Sequence, residues 1–303
     1  MIGMWIEKYR PKTMKDVVGH MEFFPTWDKW IKEKDLPHVI LAGQHGIGKT
    51  TIAIALARDI LGDGFDLNFL ELNASDDRKL DTVRTKIKDF AATGKMGNVP
   101  FKIVLLDEME GMILDAQNAL KRVMERYHTN VRFIITCNDR SKIIYPIQSR
   151  CASYHFKLVH PEIIEFTLER ILMNEGVKID SKTELSRFAL SHHGDLRKAI
   201  GELQAIMAGG KALSSHKSER DSTHKVLLEL MINRNSKALT EMHNMLFSGH
   251  SVKDICHGLH DVLLKEEYDN ELKYKFLRII GETEYRSYTM TPRIVASWMI
   301  AQI

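Results

Sequence analysis

Residues 38–50 read "HVILAGQHGIGKT", an apolar run that breaks into glycines and ends in a lysine and a threonine. "HVILA" (38–42) has the length and composition of a buried strand. Gly43 to Thr50 match G-x-x-x-x-G-K-S/T at every fixed position. The glycines let the backbone turn tightly, so that successive N–H groups point at phosphate oxygens with the positive end of a helix, starting near Gly48, behind them. The expected phosphate-binding segment is therefore Gly43, Gln44, His45, Gly46, Ile47, Gly48, Lys49, Thr50 and Thr51. Lys49 would reach the terminal phosphates of a nucleotide and Thr50 would ligate Mg²⁺. Short patterns of this kind also arise by chance, and the strand before and helical pattern after give this one its weight.

Outward from that stretch, the first 158 residues alternate strand-like runs with helical patterns, the signature of an α/β domain with a parallel sheet. "NFLEL" (68–72), "FKIVLL" (101–106) and "VRFIIT" (131–136) are the other strand candidates. Between the last two, Ala116, Leu120, Val123 and Tyr127 recur at helical spacing and predict a helix over 114–127. The strand at 101–106 runs into Asp107 and Glu108, delivering two carboxylates to the sheet edge where open α/β folds bind ligands. Asp107 would hold Mg²⁺ and Glu108 would polarise an attacking water. The plain alternative for a lone Asp-Glu pair is an acidic helix cap. Asn138 ends the next strand, where an amide could hold the water or sense the γ-phosphate, although an Asn after a strand is more often a turn residue.

Composition sets the outer bounds. With 303 residues, 44% hydrophobic and 27% charged, the chain has an ordinary globular composition and room for two or three domains. The net charge of +3 means that affinity for nucleic acid must come from a local patch. Cys137, Cys151 and Cys256 are too few and too scattered for a disulfide framework or a zinc site, which fits a reducing compartment. The amino terminus "MIGMWIEKYRPK" carries charges where a signal peptide needs an apolar core, and no run approaches the ~18 apolar residues of a membrane span. A soluble intracellular protein, cytoplasmic or nuclear, with no membrane partner, is expected. His192 and His193 adjoin without a third ligand in view, so a metal there is not expected.

From 159 to 209 the pattern is helical, with Ile163, Phe166, Ile171 and Leu172 near helical spacing and Gly176 as a terminator. "GGKALSSHKSERDSTH" (209–224) reads as a linker or loop, and 225–303 is helical again. In "DTVRTKIKDF" (81–90), Arg84 and Lys88 share one helix face while Val83, Ile87 and Phe90 share another. A basic edge of this kind is usually a solvated face. "PIQSRC" (146–151) places Arg150 at the lip of a further strand, "ASYHF", with no acid within six residues, so no local ion pair can be read there.

"WIEKYRPK" (5–12), "GQHGIGKT" (43–50), "NASDDRKLDTVRTKIKDFA" (73–91), "LLDEME" (105–110), "CN" (137–138), "IQSRC" (147–151) and "GDLRKAI" (194–200) together resemble the small subunit of replication factor C, the AAA+ clamp loader of archaea and eukaryotes. The resemblance runs in order from about residue 4 to the end and is most specific before residue 200; beyond it only general character remains, as in "IIGETEYR" (279–286). It implies an AAA+ ATP-binding domain over 1–158, a small helical lid over 159–215 and a helical collar over 216–303 that joins subunits into a ring. It further implies that Tyr9 and Arg10, with Pro11, Val17 and Val18, pack near the adenine. Asn138 matches the first sensor, and Arg197 the second, an arginine on the lid that touches the phosphates.

The resemblance also gives Arg150 a destination. It would reach the γ-phosphate held by the neighbouring subunit, as an arginine finger. Arg84 and Lys88 would track duplex phosphates without reading bases. The implied partners are a sliding clamp, primer–template DNA and other clamp-loader subunits, including a large one. Two departures stand out: the box reads "DEME" where the family usually has Asp-Glu-Ala-Asp, and Lys79 stands where members often carry Gly. The expected function is an ATPase motor subunit that opens and places a sliding clamp. The alternatives are a nucleotide-binding scaffold subunit that hydrolyses little, or another AAA+ DNA motor such as a branch-migration ATPase, which would not predict the Ser-Arg-Cys box.

Overall fold

Apolar runs long enough to be buried on both faces form the middle of a sheet, and half-apolar runs form its edges. The computed structural model describes residues 3–74, 80–177, 181–209 and 213–303, with backbone alone for 80–84 and 213–222. The chain begins with α1 (Trp5–Lys8), α2 (Phe24–Glu33), β1 (Val39–Ala42), α3 (Lys49–Leu61), α4 (Phe65–Asn68) and β2 (Phe69–Asn73). It continues through α5 (Leu80–Ala92), β3 (Lys102–Asp107), α6 (Leu114–Tyr127), β4 (Val131–Cys137), α7 (Tyr145–Gln148) and β5 (Ala152–His155).

All pairings are parallel, in the order β2-β3-β4-β1-β5. The central β1 is buried throughout and β3 and β4 nearly so, whereas the edge strand β5 alternates half-buried with exposed residues. Because β1 sits between β4 and β5, its carboxyl end opens beside that of β4. The strand expected at 68–72 starts one residue later, since Asn68 closes α4 and its side-chain amide donates to the carbonyls of Gly64 and Met96, both at 2.8 Å.

Of the face expected on α6, Ala116 and Leu120 are buried while Val123 and Tyr127 are half-buried against the same core. Gln117 is buried as well, donating to the Met112 and Lys142 carbonyls and accepting from the Ile144 N–H. On α5, Ile87 is buried and Phe90 packs on the core while Lys88 is exposed. The Arg84 and Val83 side chains, and Lys79, lie outside the described residues.

Three further helices complete the first unit: α8 (Pro161–Asn174), α9 (Lys182–Leu190) and α10 (Leu196–Ala208). The buried face of α8 is Ile164, Leu168, Ile171 and Leu172, and Phe166 is 55% exposed. The face anticipated from Ile163 and Phe166 is therefore rotated by one position. Both sets have helical spacing in so apolar a segment, and packing against α9 and α10 selects between them.

The second unit holds α11 (Leu213–Ile232), α12 (Lys237–Phe247), α13 (Val252–Lys265), α14 (Asn270–Arg286) and α15 (Pro292–Ala301) around its own core. The linker expected over 209–224 gives way to α11 from Leu213 onward. After Gly210 the stretch carries neither Gly nor Pro, and its Lys, Glu and Arg are good helix formers. The contacts divide the chain into 1–209 and 210–303, and position 215/216, read earlier as a boundary, falls inside α11.

Candidate active site

The glycine-rich loop leaves β1 through backbone that only glycine adopts freely. Gly43 has φ +153° and a Cβ there would lie 2.6 Å from the Phe156 carbonyl oxygen. Gly46 has φ +73°, and a Cβ would sit 1.9 Å from Asp195 Oδ1. Asp195 is the N-cap of α10, accepting from the Lys198 N–H at 2.8 Å, and the Arg197 N–H donates to the Gly46 carbonyl at 3.4 Å. The start of α10 thus rests directly on the loop. From the other side the buried His20 Nε2 lies 3.1 Å from the Ile47 carbonyl, which can only accept, so the nitrogen carries the proton. Burial pulls His20 below the usual histidine range.

Lys49 opens α3 and is buried, at 8% exposure. Its ammonium donates to the carbonyls of Gly43 at 2.7 Å and Gln44 at 2.5 Å, and to Asn138 Oδ1 at 2.9 Å. Burial lowers its pKa, opposed first by the carboxylate of Glu110 and then by Cys137 and Asp107. Thr50 Oγ1 donates to Asp107 Oδ1 at 2.8 Å, and the Thr136 hydroxyl donates to the same oxygen. Glu108 is exposed and stands at φ +53°, an uncommon backbone state for a non-glycine residue, with its N–H donating to Thr136 Oγ1 at 3.1 Å. Asn138 donates its backbone N–H to Glu110 Oε1 at 3.0 Å and its side-chain amide to the same oxygen.

A single cleft is lined by Tyr9, Arg10, Pro11, Val17 and Val18, by residues 45–51 of the loop, by Asp107, Glu108 and Asn138, and by Arg197. Every residue anticipated for the nucleotide is there except Gly43 and Gln44, whose carbonyls instead hold Lys49. The Tyr9 hydroxyl and the Lys8 ammonium both donate to Glu175 Oε1, at the carboxyl end of α8, at 2.7 Å. Trp5 N–H donates to Gln204 Oε1 on α10 at 2.9 Å, so α1 is tied to the same helical layer.

Several lining residues went unread in the sequence: Glu7, Thr136, Thr167, Arg170 and Ile200. Ile200 was legible, since Leu196, Arg197 and Ile200 share one face at helical spacing. Thr136 and Arg170 carried no local signal. His192, in the turn between α9 and α10, has a partner on each, with Nδ1 2.7 Å from the Phe188 carbonyl and Nε2 3.0 Å from Glu202 Oε2.

Arg150 does not line this cleft. It donates to the Pro146 carbonyl at 2.6 Å and forms an ion pair with Glu125 of α6, a partner too distant in sequence to anticipate. Lys88, on α5, is also outside the cleft.

Residues 39–157 match the ATPase family associated with various cellular activities (AAA), and residues 220–288 match the replication factor C C-terminal domain. Among curated proteins, the replication factor C small subunit of Saccharolobus solfataricus is 41% identical over 295 residues, covering 93% of this chain and 88% of that one. The chain belongs to the replication factor C small-subunit family. The small subunit of Picrophilus torridus is also 41% identical, covering 94% and 92%, and that of Methanococcus maripaludis is 37% identical, covering 93% and 92%. A solved structure of the Thermotoga maritima RuvB Holliday junction branch migration motor superposes with a TM-score of 0.59 at 15% identity, covering 74% of this chain and 79% of that one. That likeness establishes the AAA+ fold alone. As a replication factor C small subunit the chain is a clamp-loader ATPase with a nucleotide-binding cleft. Among the described residues no helix is long and apolar enough to cross a membrane.

Proposed function

We propose that this chain is a working motor subunit, which couples ATP hydrolysis to opening a sliding clamp and setting it on primer–template DNA, in a ring with further subunits including a large one. Convergence carries the reading: Lys49 and Thr50 after β1, Asp107 and Glu108 at the end of β3 and Asn138 after β4 line one cleft, with Lys49 bonded to Asn138 and Thr50 to Asp107. Lys49 would exchange the Gly43 and Gln44 carbonyls for phosphate oxygens. Glu108, exposed and held off the strand axis, polarises the attacking water. Asn138 orients that water or the γ-phosphate, and Arg197 brings the start of α10 to the phosphates. Tyr9, Arg10, Val17 and Val18 enclose the base.

The hydroxyl of Thr50 and the carboxylate of Asp107 are hard oxygens already 2.8 Å apart, a donor set that suits Mg²⁺, which would neutralise charge on the β- and γ-phosphate oxygens when bound. Arg150 would complete the neighbour's site and Arg84 and Lys88 would hold DNA phosphates. Within the chain, 1–158 would carry the nucleotide chemistry, the following helices to 209 the lid, and 210–303 the ring contacts.

The test is a reconstituted ring carrying Glu108→Gln in every copy of this chain. ATP binding retained, with ATPase and ATP-dependent clamp placement on primed circular DNA both lost, is the expected result. An unchanged ATPase rate would make this chain a scaffold beside another subunit's motor.

A further inference from the structure

Glu110 belongs to none of the roles above, yet it touches Asn138 twice through one oxygen. We infer that Glu110 is a positioning residue for hydrolysis: it fixes which end of the Asn138 amide faces Lys49. The inference rests on Lys49 and Asn138 being part of the ATP site.

The two ends of an amide are nearly the same size, and only their partners choose between them. A carboxylate accepts and does not donate, so the end of Asn138 that meets Glu110 is the NH₂ group. An ammonium donates and does not accept, so the end that meets Lys49, at 2.9 Å, is the oxygen. Glu110 and Lys49 therefore impose the same orientation from opposite sides. Without Glu110 the orientation would rest on the Lys49 contact alone, and rotation of the amide would set its NH₂ against the ammonium, donor against donor.

Among the described residues the Glu110 carboxylate hydrogen-bonds to Asn138 alone. Its Oε1 serves both the backbone and the side chain of Asn138, and its Oε2 is buried with no partner among the described residues. Its charge is also the foremost influence keeping the buried Lys49 cationic. Glu108, two residues earlier, faces solvent and cannot substitute. Acting through Asn138, Glu110 would affect the chemical step more than nucleotide affinity.

Steady-state ATPase of the assembled ring tests this with Glu110→Ala, Glu110→Gln, Asn138→Ala and the double variant Glu110→Ala/Asn138→Ala. Glu110→Ala should lower kcat roughly tenfold with KM nearly unchanged, as expected when a reacting group loses its alignment. Gln keeps an acceptor oxygen for both Asn138 donors, so Glu110→Gln should stay within about threefold of the parent. The double variant should be no slower than Asn138→Ala alone, because Glu110 works through that residue.

A normal kcat for Glu110→Ala while Asn138→Ala is slow would overturn the inference and leave the site intact. Equal losses for Gln and Ala, or losses that multiply in the double variant, would also overturn it, the first assigning Glu110 to charge and the second to an independent role. A silent Asn138→Ala would remove the Asn138 role itself and the inference with it. Should Glu110→Ala fail to fold, as read by its melting curve, the Gln variant against Asn138→Ala still decides between positioning and charge.

Discussion

Lys49 spends all three of its protons on protein acceptors, two of them carbonyls of its own loop. Such a lysine is poised to be recruited by phosphate, because phosphate oxygens offer the buried ammonium a full opposing charge where the carbonyls offer only dipoles. Lys49→Ala should therefore abolish most ATP binding, whereas Glu108→Gln should leave affinity within about threefold and lower hydrolysis by roughly 10²–10⁴, the usual worth of a general base. Equilibrium binding of a non-hydrolysable ATP analogue beside single-turnover rates checks both, and equal loss of binding in the two would remove Glu108 from the water-activating role. Lys49 and Thr50 were legible in the sequence from the glycine-rich motif that opens α3, and Asp107, Glu108 and Asn138 from their places at strand ends. Glu110 and Thr136 were not: their contacts to Asn138 and Asp107 exist only because β3 and β4 run side by side in one register, which no local pattern encodes.

At the scale of elements, strands were easy to read where burial is two-sided and hard where a helix could rotate. β1, β3 and β4 announce themselves by mainly apolar runs, while α8 offered two plausible faces and α11 hid behind serines and charges. The start of β1 carries a testable consequence. His38 Nδ1 accepts from the Phe133 N–H of β4 at 3.1 Å, and burial, then Arg132 and His128, push its pKa from 6.5 down to about 4. A histidine depressed in the folded state stabilises the fold above its unfolded pKa and loses that contribution as protons force their way on. Stability should thus be level above pH ~6.5 and fall as pH drops toward 4, read as urea midpoints at fixed ionic strength. His38→Asn, whose Oδ1 can accept the same N–H without titrating, should flatten the decline; an identical decline would place the titration elsewhere. On α5, replacing Arg84 and Lys88 with Ala should weaken DNA binding for all sequences alike. It should also lower the slope of log K against log salt by up to roughly two. An unchanged slope returns that helix edge to solvent.

At the scale of the molecule, the proposed arginine finger would bring a cation to the γ-phosphoryl group held by a neighbouring subunit. Arg150 is the candidate, and it is held outside the cleft by the Pro146 carbonyl and by Glu125. Both partners of that ion pair are substantially exposed, at 36% and 43% of their side-chain surfaces, so the pair contributes at most about 1 kcal/mol and a neighbour's phosphate can outcompete it. Arg150→Ala should then leave nucleotide affinity nearly intact and slow hydrolysis in the assembled ring by roughly 10³-fold or more, because the charge matters when the phosphoryl group departs. Mixing separates action in one's own site from action in a neighbour's. Rings of Arg150→Ala subunits alone and of Lys49→Ala subunits alone should both be nearly inactive. In a mixed ring, some interfaces set an intact loop from the first beside an intact Arg150 from the second, and those interfaces should hydrolyse ATP. Co-assembly is verified by native mass spectrometry. Mixed rings that form and stay inactive would assign Arg150 to its own chain's site or require several intact sites to fire together, and an Arg150→Ala ring hydrolysing at the parent rate would remove the finger altogether.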